Sequence, residues 1–476
     1  MTFQFRFRHP IEEFVKNDDA RDARTQCKVY GANRYYFLFL TTFSLFLFGR
    51  FMWAFPSFFD MFVKSGAYLW LCTDEEIAKA SLEQAVRAAC EQQTMGINNI
   101  FSYLMASTFF GSIVAGSCNI VIGAKLTAMI GTACMFIGML LISFSSEAFR
   151  LYVPGSIFVG FGIDFLVLPC FNATVLYPGR ELLITSLLGA SISVGMFVPI
   201  LMKHVMFKTN ISLSVNMLPL PILCVGVFII ACVFFPPKRF YKQGELDEAL
   251  NAINVETNNG ENKKTEKRKK SKKEFILSLF DIELDKVGVL KKSIFSVHFL
   301  MLNIIFMIVM ITASFYMTIS NRMMTEQERN YLAIGMGASV TVCLGLAYFL
   351  DKMGSMYIMW FETIFLLMSY ITIAFGHKCT TIISIILYSI FTSHLNGQVW
   401  LFVVETFDSS ISTLLMGLLN LIAGIVMISS PKIYDKLLTN GCKMENIIVF
   451  MIGLVGVKTA VLVFLHGWKL KVNKIE

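Results

Sequence analysis

The chain has 476 residues, of which 55% are hydrophobic and only 16% are charged, and its formal net charge is +8. An ordinary soluble domain contains roughly 25% charged residues, and the composition here excludes a secreted disulfide scaffold, a disordered chain and a nucleic-acid-binding domain. Apolar stretches of about 20 residues, the length of one bilayer span, recur throughout the sequence. They predict a helical protein that crosses a membrane many times.

The first part of the chain is predicted to be a cytosolic tail followed by six spans. Residues 1–34 are highly charged, and because no apolar signal-peptide core precedes Tyr35, we expect the first span to act as the insertion signal. The six apolar windows predict a first bundle within residues 35–236. They cover residues 35–63, 97–121, 126–144, 151–176, 182–205 and 213–235.

A polar segment at residues 237–293 interrupts the apolar pattern and contains a basic run at residues 263–273. We interpret it as a cytosolic linker with short amphipathic helices at the membrane surface, near residues 244–253 and 274–290. Anionic lipid is the expected partner of the basic run. A dedicated regulatory role for the linker is the alternative interpretation.

Six further windows predict a second bundle within residues 294–466 and a cytosolic tail at residues 467–476. Lys and Arg are enriched roughly two to one in the segments that become cytosolic when both termini lie inside, as the positive-inside rule requires. The windows cover residues 294–319, 331–350, 357–375, 381–404, 412–433 and 447–465.

Two short loops at corresponding places in the halves contain glycine and basic residues at a shared spacing. The first has the pattern Gly-x-x-x-Asp-x-x-Gly-x-Lys except that Ile120 replaces the Asp, whereas the second keeps the Asp. The matching residues are Gly116, Gly123, Lys125, Asp351, Lys352 and Gly354. With six spans on each side of a linker, this pattern resembles the major facilitator superfamily. The resemblance implies two bundles that rock about a central site, with these loops in a gate.

Three segments resemble a narrower family. They are residues 48–56 (FGRFMWAFP), 176–180 (LYPGR) and 404–407 (VETF). Together they are similar to the apicomplexan amino acid transporter family and to the related system L-type amino acid facilitators. The resemblance implies uptake of an amino acid across a plasma membrane, without naming the amino acid.

The first bundle contains polar residues inside its predicted spans, where a charge costs about 2.5–3.5 kcal/mol and therefore faces protein or a water-filled cavity. Arg50, Trp53, Ser57 and Asp60 follow at the spacing of one helix face. Arg50 is expected to bind a carboxylate, either that of the substrate or permanently that of another residue. Trp53 either stacks on substrate or packs in the core. Asp164 either accepts the substrate's ammonium group or pairs with Arg50.

In the second bundle, His298 and Asn303 lie in the seventh predicted span, and three polar residues share one face of the tenth. These three are His394, Gln398 and Glu405. His394 and Gln398 are expected to contact the side-chain end of the substrate, and Glu405 is expected in a gate. His394 is open to two interpretations, as a proton-coupling group with a reference pKa near 6.5 or as a packing residue.

Other polar residues are given structural roles. Glu362 and Lys458 lie toward the ends of their predicted spans, and we expect their side chains to reach the membrane surface. The 11 cysteines show no metal-ligand spacing, so that neither a metal nor another cofactor is expected. Cys72 and Cys90 share a predicted outer loop and are a candidate disulfide, although other outer pairings are open.

The sequence as a whole predicts an all-α membrane protein of twelve transmembrane helices in two six-helix bundles, with both termini cytosolic. Its predicted function is facilitative or secondary active transport of an amino acid, with a cationic one such as arginine slightly favoured, by a monomer in the plasma membrane. A monocarboxylate, sugar or drug carrier and a non-transporting nutrient receptor are the alternatives. No nucleic-acid partner is expected, and no enzyme, because the sequence contains neither a nucleotide loop nor HExxH or GxSxG.

Overall fold

The computed structural model is helical in the part of the chain that it describes. The described residues are 22–49, 51–82, 88–178, 180–237, 240, 291–353, 355–394, 399, 402–403, 406–407, 409–439 and 444–472. The predicted basic run, its two flanking amphipathic helices and most of the predicted N-terminal tail therefore lie outside the described residues.

The helices fall into an N-terminal group and a C-terminal group, which precede and follow residues 241–290. The N-terminal group comprises α1 (Arg34–Phe48), α2 (Phe55–Lys64), α3 (Asp74–Leu82), α4 (Glu91–Val121), α5 (Ala124–Ser143), α6 (Tyr152–Cys170), α7 (Glu181–Val194), α8 (Phe197–Thr209), α9 (Leu213–Met217) and α10 (Pro219–Phe234). The C-terminal group comprises α11 (Val297–Met323), α12 (Glu326–Met353), α13 (Ser355–Ala374), α14 (Lys378–His394), α15 (Ser409–Thr439) and α16 (Met444–Val472).

The described residues contain eight helical segments, of 20–29 residues, that are long and apolar enough to cross a membrane. Large apolar side chains such as Ile222 and Leu201 are 70% and 65% exposed, as expected for surfaces that face lipid. Each predicted apolar window overlaps a described helix. The total of twelve spans, the domain boundaries and the cytosolic side of the termini stay predictions.

The first predicted span is not one continuous helix. Helix α1 ends at Phe48, a 3₁₀ turn follows at Phe51–Trp53, and α2 begins at Phe55 with Pro56 in its first turn, where the missing proline N–H costs nothing. Our prediction of one helical face running from Arg50 to Asp60 was therefore wrong. Of the described residues Trp53, Ser57 and Asp60, only the last two share a helix, because helical spacing does not continue through the break.

Close helix contacts inside the N-terminal group depend on glycine. A Cβ added at Gly138 on α5 would lie 2.6 Å from the backbone oxygen of Gly155 on α6. One at Gly162 would lie 2.5 Å from the oxygen of Gly131. These contacts let the α5 and α6 backbones touch, the usual role of small residues between membrane helices.

The C-terminal group is joined by buried tyrosines. The rings of Tyr316 on α11 and Tyr388 on α14 stack with centroids 3.8 Å apart. The Tyr316 hydroxyl lies 2.6 Å from the hydroxyl of Ser384, and the Tyr388 hydroxyl donates to the carbonyl of Ala313 at 2.9 Å. Because these hydroxyls are satisfied, the rings can be fully buried.

One end of the molecule carries the disulfide between Cys72 and Cys90, whose Cα atoms are 5.6 Å apart. We call it the disulfide end. The Cys90 sulfur also accepts from the backbone N–H of Gln93 at the start of α4. In the predicted orientation this end faces the outside of the cell.

Candidate functional site

A fully buried carboxylate lies between two cations where the two groups of helices meet. Asp60 on α2 is 0% exposed, and Lys203 on α8 and Arg329 on α12 are each 4% exposed. The Lys203 Nζ atom lies 2.5 Å from Asp60 Oδ2. Arg329 donates to Asp60 Oδ1 from Nε at 2.8 Å, and its Nη2 atom lies 2.6 Å from the same oxygen.

Both cations also contact groups other than Asp60. Lys203 Nζ donates to Asn330 Oδ1 at 2.6 Å and lies 3.3 Å from Glu326 Oε1, and Arg329 Nη1 donates to the carbonyl of Met324 at 2.7 Å. We call this set the interface charge cluster: Asp60, Lys203, Glu326, Arg329 and Asn330. It holds two anions and two cations, and such direct pairing is what permits charges to be buried.

Among the described residues, the interface charge cluster is one of three polar links between the groups at the disulfide end. Asn321 at the end of α11 donates from Nδ2 to Asn98 Oδ1 on α4 at 2.9 Å. Arg322 pairs with Glu91 at the start of α4, at 2.5 Å. All three links join an N-terminal helix to a C-terminal helix, so that the groups are closed against each other here.

The local sequence explains why α12 presents Arg329 at this point. The backbone N–H of Thr325 donates to Glu328 Oε2 at 2.8 Å, and the N–H of Glu328 is 3.4 Å from Thr325 Oγ1. This reciprocal capping box fixes where the helix begins, and Arg329 is therefore in its first turns. Lys203 and Arg329 were not among the predicted site residues, although lone cations in or beside an apolar window are a signal for a buried counter-charge.

Farther along α4 the groups meet through small and polar residues. Asn420 on α15 donates from Nδ2 to the Ser112 hydroxyl at 2.9 Å. A Cβ at Gly417 would lie 3.2 Å from Ile113 Cγ1, and one at Gly424 would lie 3.1 Å from Phe109 Cβ. This contact between α4 and α15 has no ion pair among the described residues.

Several predicted site residues cannot be placed. Arg50, Gln398, Glu405 and Gly354 lie outside the described residues, as do the side chains of His394, Asp351 and Lys352. Asp164 is partly buried on α6. The pairing of Arg50 with Asp164, the substrate contacts of His394 and Gln398 and the gate at Glu405 therefore stay predictions.

The other predicted binding residues occupy different environments. Trp53 is 8% exposed and meets Phe101 edge-on at 6.4 Å, which favours the packing interpretation. Ser57 is 1% exposed, and its hydroxyl has no hydrogen-bond partner among the described residues. Asn303 donates to the carbonyl of Phe299 on its own helix at 2.7 Å. His298 is the second residue of α11 and therefore lies near a helix end.

The first of the two predicted gate loops joins α4 to α5 at the end opposite the disulfide. Gly123 has a φ of +91°, a conformation that glycine alone adopts readily, and this explains its place in the pattern. The next-but-one residue, Lys125, donates its backbone N–H to the carbonyl of Pro236 at 3.2 Å. Gly116 lies in the last turns of α4, and a Cβ there would be 4.0 Å from Leu168. The role of this loop in gating stays a prediction.

Glu362 and Lys458 do not reach the membrane surface, and that prediction was wrong. Both are 0% exposed, on α13 and α16. Their side-chain nitrogen and oxygen atoms have no hydrogen-bond partner among the described residues, although the two charges attract each other. A counter-charge on a neighbouring helix, instead of a path to the surface, accompanies their burial.

Comparison with known proteins decides what kind of molecule this is. The family model of the Major Facilitator Superfamily matches residues 89–431. The chain belongs to the major facilitator superfamily. The solved structure of the peptide transporter POT in complex with sulfate aligns with a TM-score of 0.60 at 13% identity, covering 92% of this chain and 95% of that one. The predicted family and fold are confirmed, and the chain is a multi-pass membrane transporter.

Several relatives of this superfamily member are named for amino acids. Arginine transporter 1 of Toxoplasma gondii is 26% identical, over 88% of this chain and 85% of its own length. The aromatic and large neutral amino acid transporter 5-3 of Toxoplasma gondii is also 26% identical, over 94% and 86%. Cationic amino acid transporter 8 of Plasmodium berghei is 22% identical, over 72% of each chain.

Proposed function

We propose that this superfamily member moves an amino acid across the plasma membrane by alternating access, as a monomer. The observation that carries the substrate class is the match, over 88% and 94% of this chain, to two transporters named for amino acids. One is named for arginine and the other for aromatic and large neutral amino acids. What such substrates share is an α-carboxylate and an α-ammonium group, so the proposal rests on recognition of these two groups.

The interface charge cluster is the proposed gate at the disulfide end. Asp60 and Lys203 belong to the N-terminal group, whereas Glu326 and Arg329 belong to the C-terminal group. If the groups separate, each takes away one anion and one cation, so that neither side is left with an uncompensated charge, which is the costly outcome of breaking a buried pair. That balance suits a contact that breaks and re-forms in every transport cycle.

Arg50 and Asp164 are the proposed partners of the substrate carboxylate and ammonium group. The buried hydroxyl of Ser57 has no hydrogen-bond partner among the described residues. Because Ser57 follows Arg50 closely in the sequence, this unused hydroxyl supports a polar binding site in that segment. The side-chain end of the substrate would meet the region of His394 and Gln398. A cationic side chain is favoured by the relatives named for arginine and for cationic amino acids.

Uptake of radiolabelled arginine, leucine, tyrosine, lactate and glucose into cells expressing the chain tests the proposal, at an acidic and a neutral pH. We expect saturable uptake of amino acids that does not depend on pH. Asp164→Asn should lower it, whereas Glu75→Gln, which changes an exposed acid on α3, should not. Uptake of lactate or glucose alone, or no uptake by protein that reaches the surface, would contradict the proposal.

A further inference from the structure

A cleft of about 560 Å³ lies at the disulfide end, directly above the proposed gate. Its walls come from both groups of helices and include Phe59, Thr94 and Glu91 on one side and Asn321, Arg322 and Arg329 on the other. The volume is typical of small-molecule sites. Because both groups contribute walls, the cleft has this shape only while the groups are closed at this end.

Arg329 belongs both to the cleft and to the interface charge cluster. Its guanidinium binds Asp60 through Nε and Nη2, its carbon Cζ lies 5.8 Å from the ring centroid of Phe59, and the side chain lines the cleft. A guanidinium has five N–H donors in a planar fork that fits a carboxylate. A carboxylate in the cleft would therefore compete with Asp60 for the same cation.

The link between Asn98 and Asn321 leaves two buried polar atoms unused. Asn321 Nδ2 donates to Asn98 Oδ1, but Asn321 Oδ1 and Asn98 Nδ2 have no partner among the described residues. Each residue is 7% exposed, and Asn321 lines the cleft. A buried polar atom without a partner is costly, and the Asn321 oxygen is an acceptor suited to an ammonium group.

The cleft also holds charges of both signs. Glu76 and Glu91 provide carboxylates, and Lys79 and Arg322 provide cations in addition to Arg329, with Arg322 and Glu91 paired to each other. A simple anion or a simple cation would gain from one set and be repelled by the other. A molecule with a carboxylate and an ammonium group on one carbon gains from both.

We infer that the cleft is a docking site for the zwitterionic head group of an α-amino acid at the closed gate. The carboxylate binds Arg329, and the ammonium group binds Asn321 Oδ1 with Glu91 nearby. The inference rests on the proposed function, because the docked molecule is the transported substrate. Its consequence is that docking draws Arg329 away from Asp60 and weakens the closed state, since a ligand shifts an equilibrium only through contacts that differ between two states.

The test follows opening of the gate in full-length protein in proteoliposomes. Ala333 is fully buried one helical turn beyond Arg329 on α12, so that a cysteine at Ala333→Cys reports access from the disulfide end. Exposed Cys379 and Cys442, which both lie in predicted outer loops, are changed to serine in this background so that neither reacts with the label. The labelling rate with a membrane-impermeant maleimide is measured with arginine and with agmatine, its decarboxylated analogue, as probes.

We expect arginine to raise the labelling rate severalfold and agmatine to leave it unchanged, because agmatine lacks the carboxylate that competes for Arg329. Equal effects of the two probes would overturn the inference. Arginine uptake by the same vesicles with labelling that does not respond to arginine would overturn the docking site while the proposed function stands. Absence of any amino acid uptake would overturn both.

A blocked cleft gives a second measurement. Ala88 lines the cleft and lies outside the interface charge cluster, so that Ala88→Trp should fill the cleft and raise the arginine concentration for half-maximal uptake severalfold. Glu75→Trp, at an exposed position of α3 that does not line the cleft, is the matched control and should not. Equal values for both variants would overturn the docking site.

Discussion

Two buried ionic centres in the described part of this transporter differ in where their partners lie. The interface charge cluster joins helices of different groups, and Asp60 is held by direct contacts of 2.5–2.8 Å. Glu362 and Lys458 are both in the C-terminal group, are equally buried, and make no direct hydrogen bond to a described residue. We call these two residues the C-terminal charge pair.

One centre joins the two groups and the other lies within a single group, so burial of charge does not by itself identify a gate. Separation of the two groups would break every contact between Asp60 and Arg329, because the two residues move with different groups. The same motion would leave the C-terminal charge pair intact, since α13 and α16 move together. We therefore expect changes in the first centre to alter the conformational equilibrium and changes in the second to alter the stability of the fold.

The largest effect is expected from Asp60→Asn. Removing the carboxylate leaves Lys203 and Arg329 facing each other, and loss of one partner of a buried pair costs about 3–5 kcal/mol. That cost falls on the state closed at the disulfide end, so labelling of Ala333→Cys should become much faster and uptake should fall. Glu75→Gln is the control, and an unchanged labelling rate in Asp60→Asn would contradict the role of the cluster as a gate.

A smaller and different effect is expected in the C-terminal charge pair. Glu362→Gln or Lys458→Met alone should lower the midpoint of thermal unfolding in detergent, because each leaves one buried charge without its counter-charge. The cost should stay below the roughly 3–5 kcal/mol of a directly paired charge, since no hydrogen bond between the two side chains is lost. The double variant should recover most of the loss. Labelling of Ala333→Cys should stay at the wild-type rate in all three, and additive single-variant losses would show that the two charges do not stabilise each other.

The sequence predicts the helical fold and the family well. Apolar windows and short motifs can be read directly from neighbouring residues, and the linker between two sets of six windows is visible in the composition. Cys72 and Cys90 were a candidate pair because they share one predicted loop, but the sequence left other outer pairings open, and the structure joins these two. The break between Phe48 and Phe55 was missed because the window at residues 35–63 is predominantly apolar, and apolar composition does not report where a helix stops. Pro56 was the available sign, since proline favours a helix start.

The candidate gate was only half predictable. Asp60 was recognised as a polar residue in a span, but its partners are 143 and 269 residues away, and only the tertiary packing brings them together. The expectation for Glu362 and Lys458 failed for the same reason. Their position near predicted span ends indicated a path to the surface, whereas the packing of α13 against α16 supplied each with an opposite charge.

An uncharged contact inside one group sharpens the comparison further. Gly138→Ala would place a methyl group 2.6 Å from the Gly155 oxygen, and overpacking of this kind costs about 1–3 kcal/mol. Gly226→Ala on α10 meets nothing within 4 Å and should be neutral or stabilising by about 0.5–1 kcal/mol. Thermal unfolding should separate the two variants, and labelling of Ala333→Cys should not. A faster labelling rate in Gly138→Ala would contradict the expectation that contacts within one group affect stability and not the opening of the gate.

The smallest effect is expected at Tyr177, which lies just beyond the span-length apolar segment Tyr152–Leu176. Its hydroxyl donates to the carbonyl of Arg34 at 3.0 Å, and Tyr177→Phe should cost about 1 kcal/mol of stability without changing the gate. Burial raises the pKa of Tyr177 to about 12, against the opposing effect of Arg34. The folded state therefore holds this proton more tightly than the unfolded state, in which the pKa is about 10.

The pH dependence of Tyr177→Phe follows from the sign of that shift. The contribution of Tyr177 is complete below about pH 10 and is lost as the pH rises through about 12, because the phenolate can no longer donate to the carbonyl of Arg34. The stability difference between wild type and Tyr177→Phe, measured by urea unfolding in detergent, should be constant up to about pH 10 and shrink above it. A difference that grew with pH would mean that the hydroxyl is more acidic in the folded state than in the unfolded state, and that its bond to Arg34 is not what stabilises this contact.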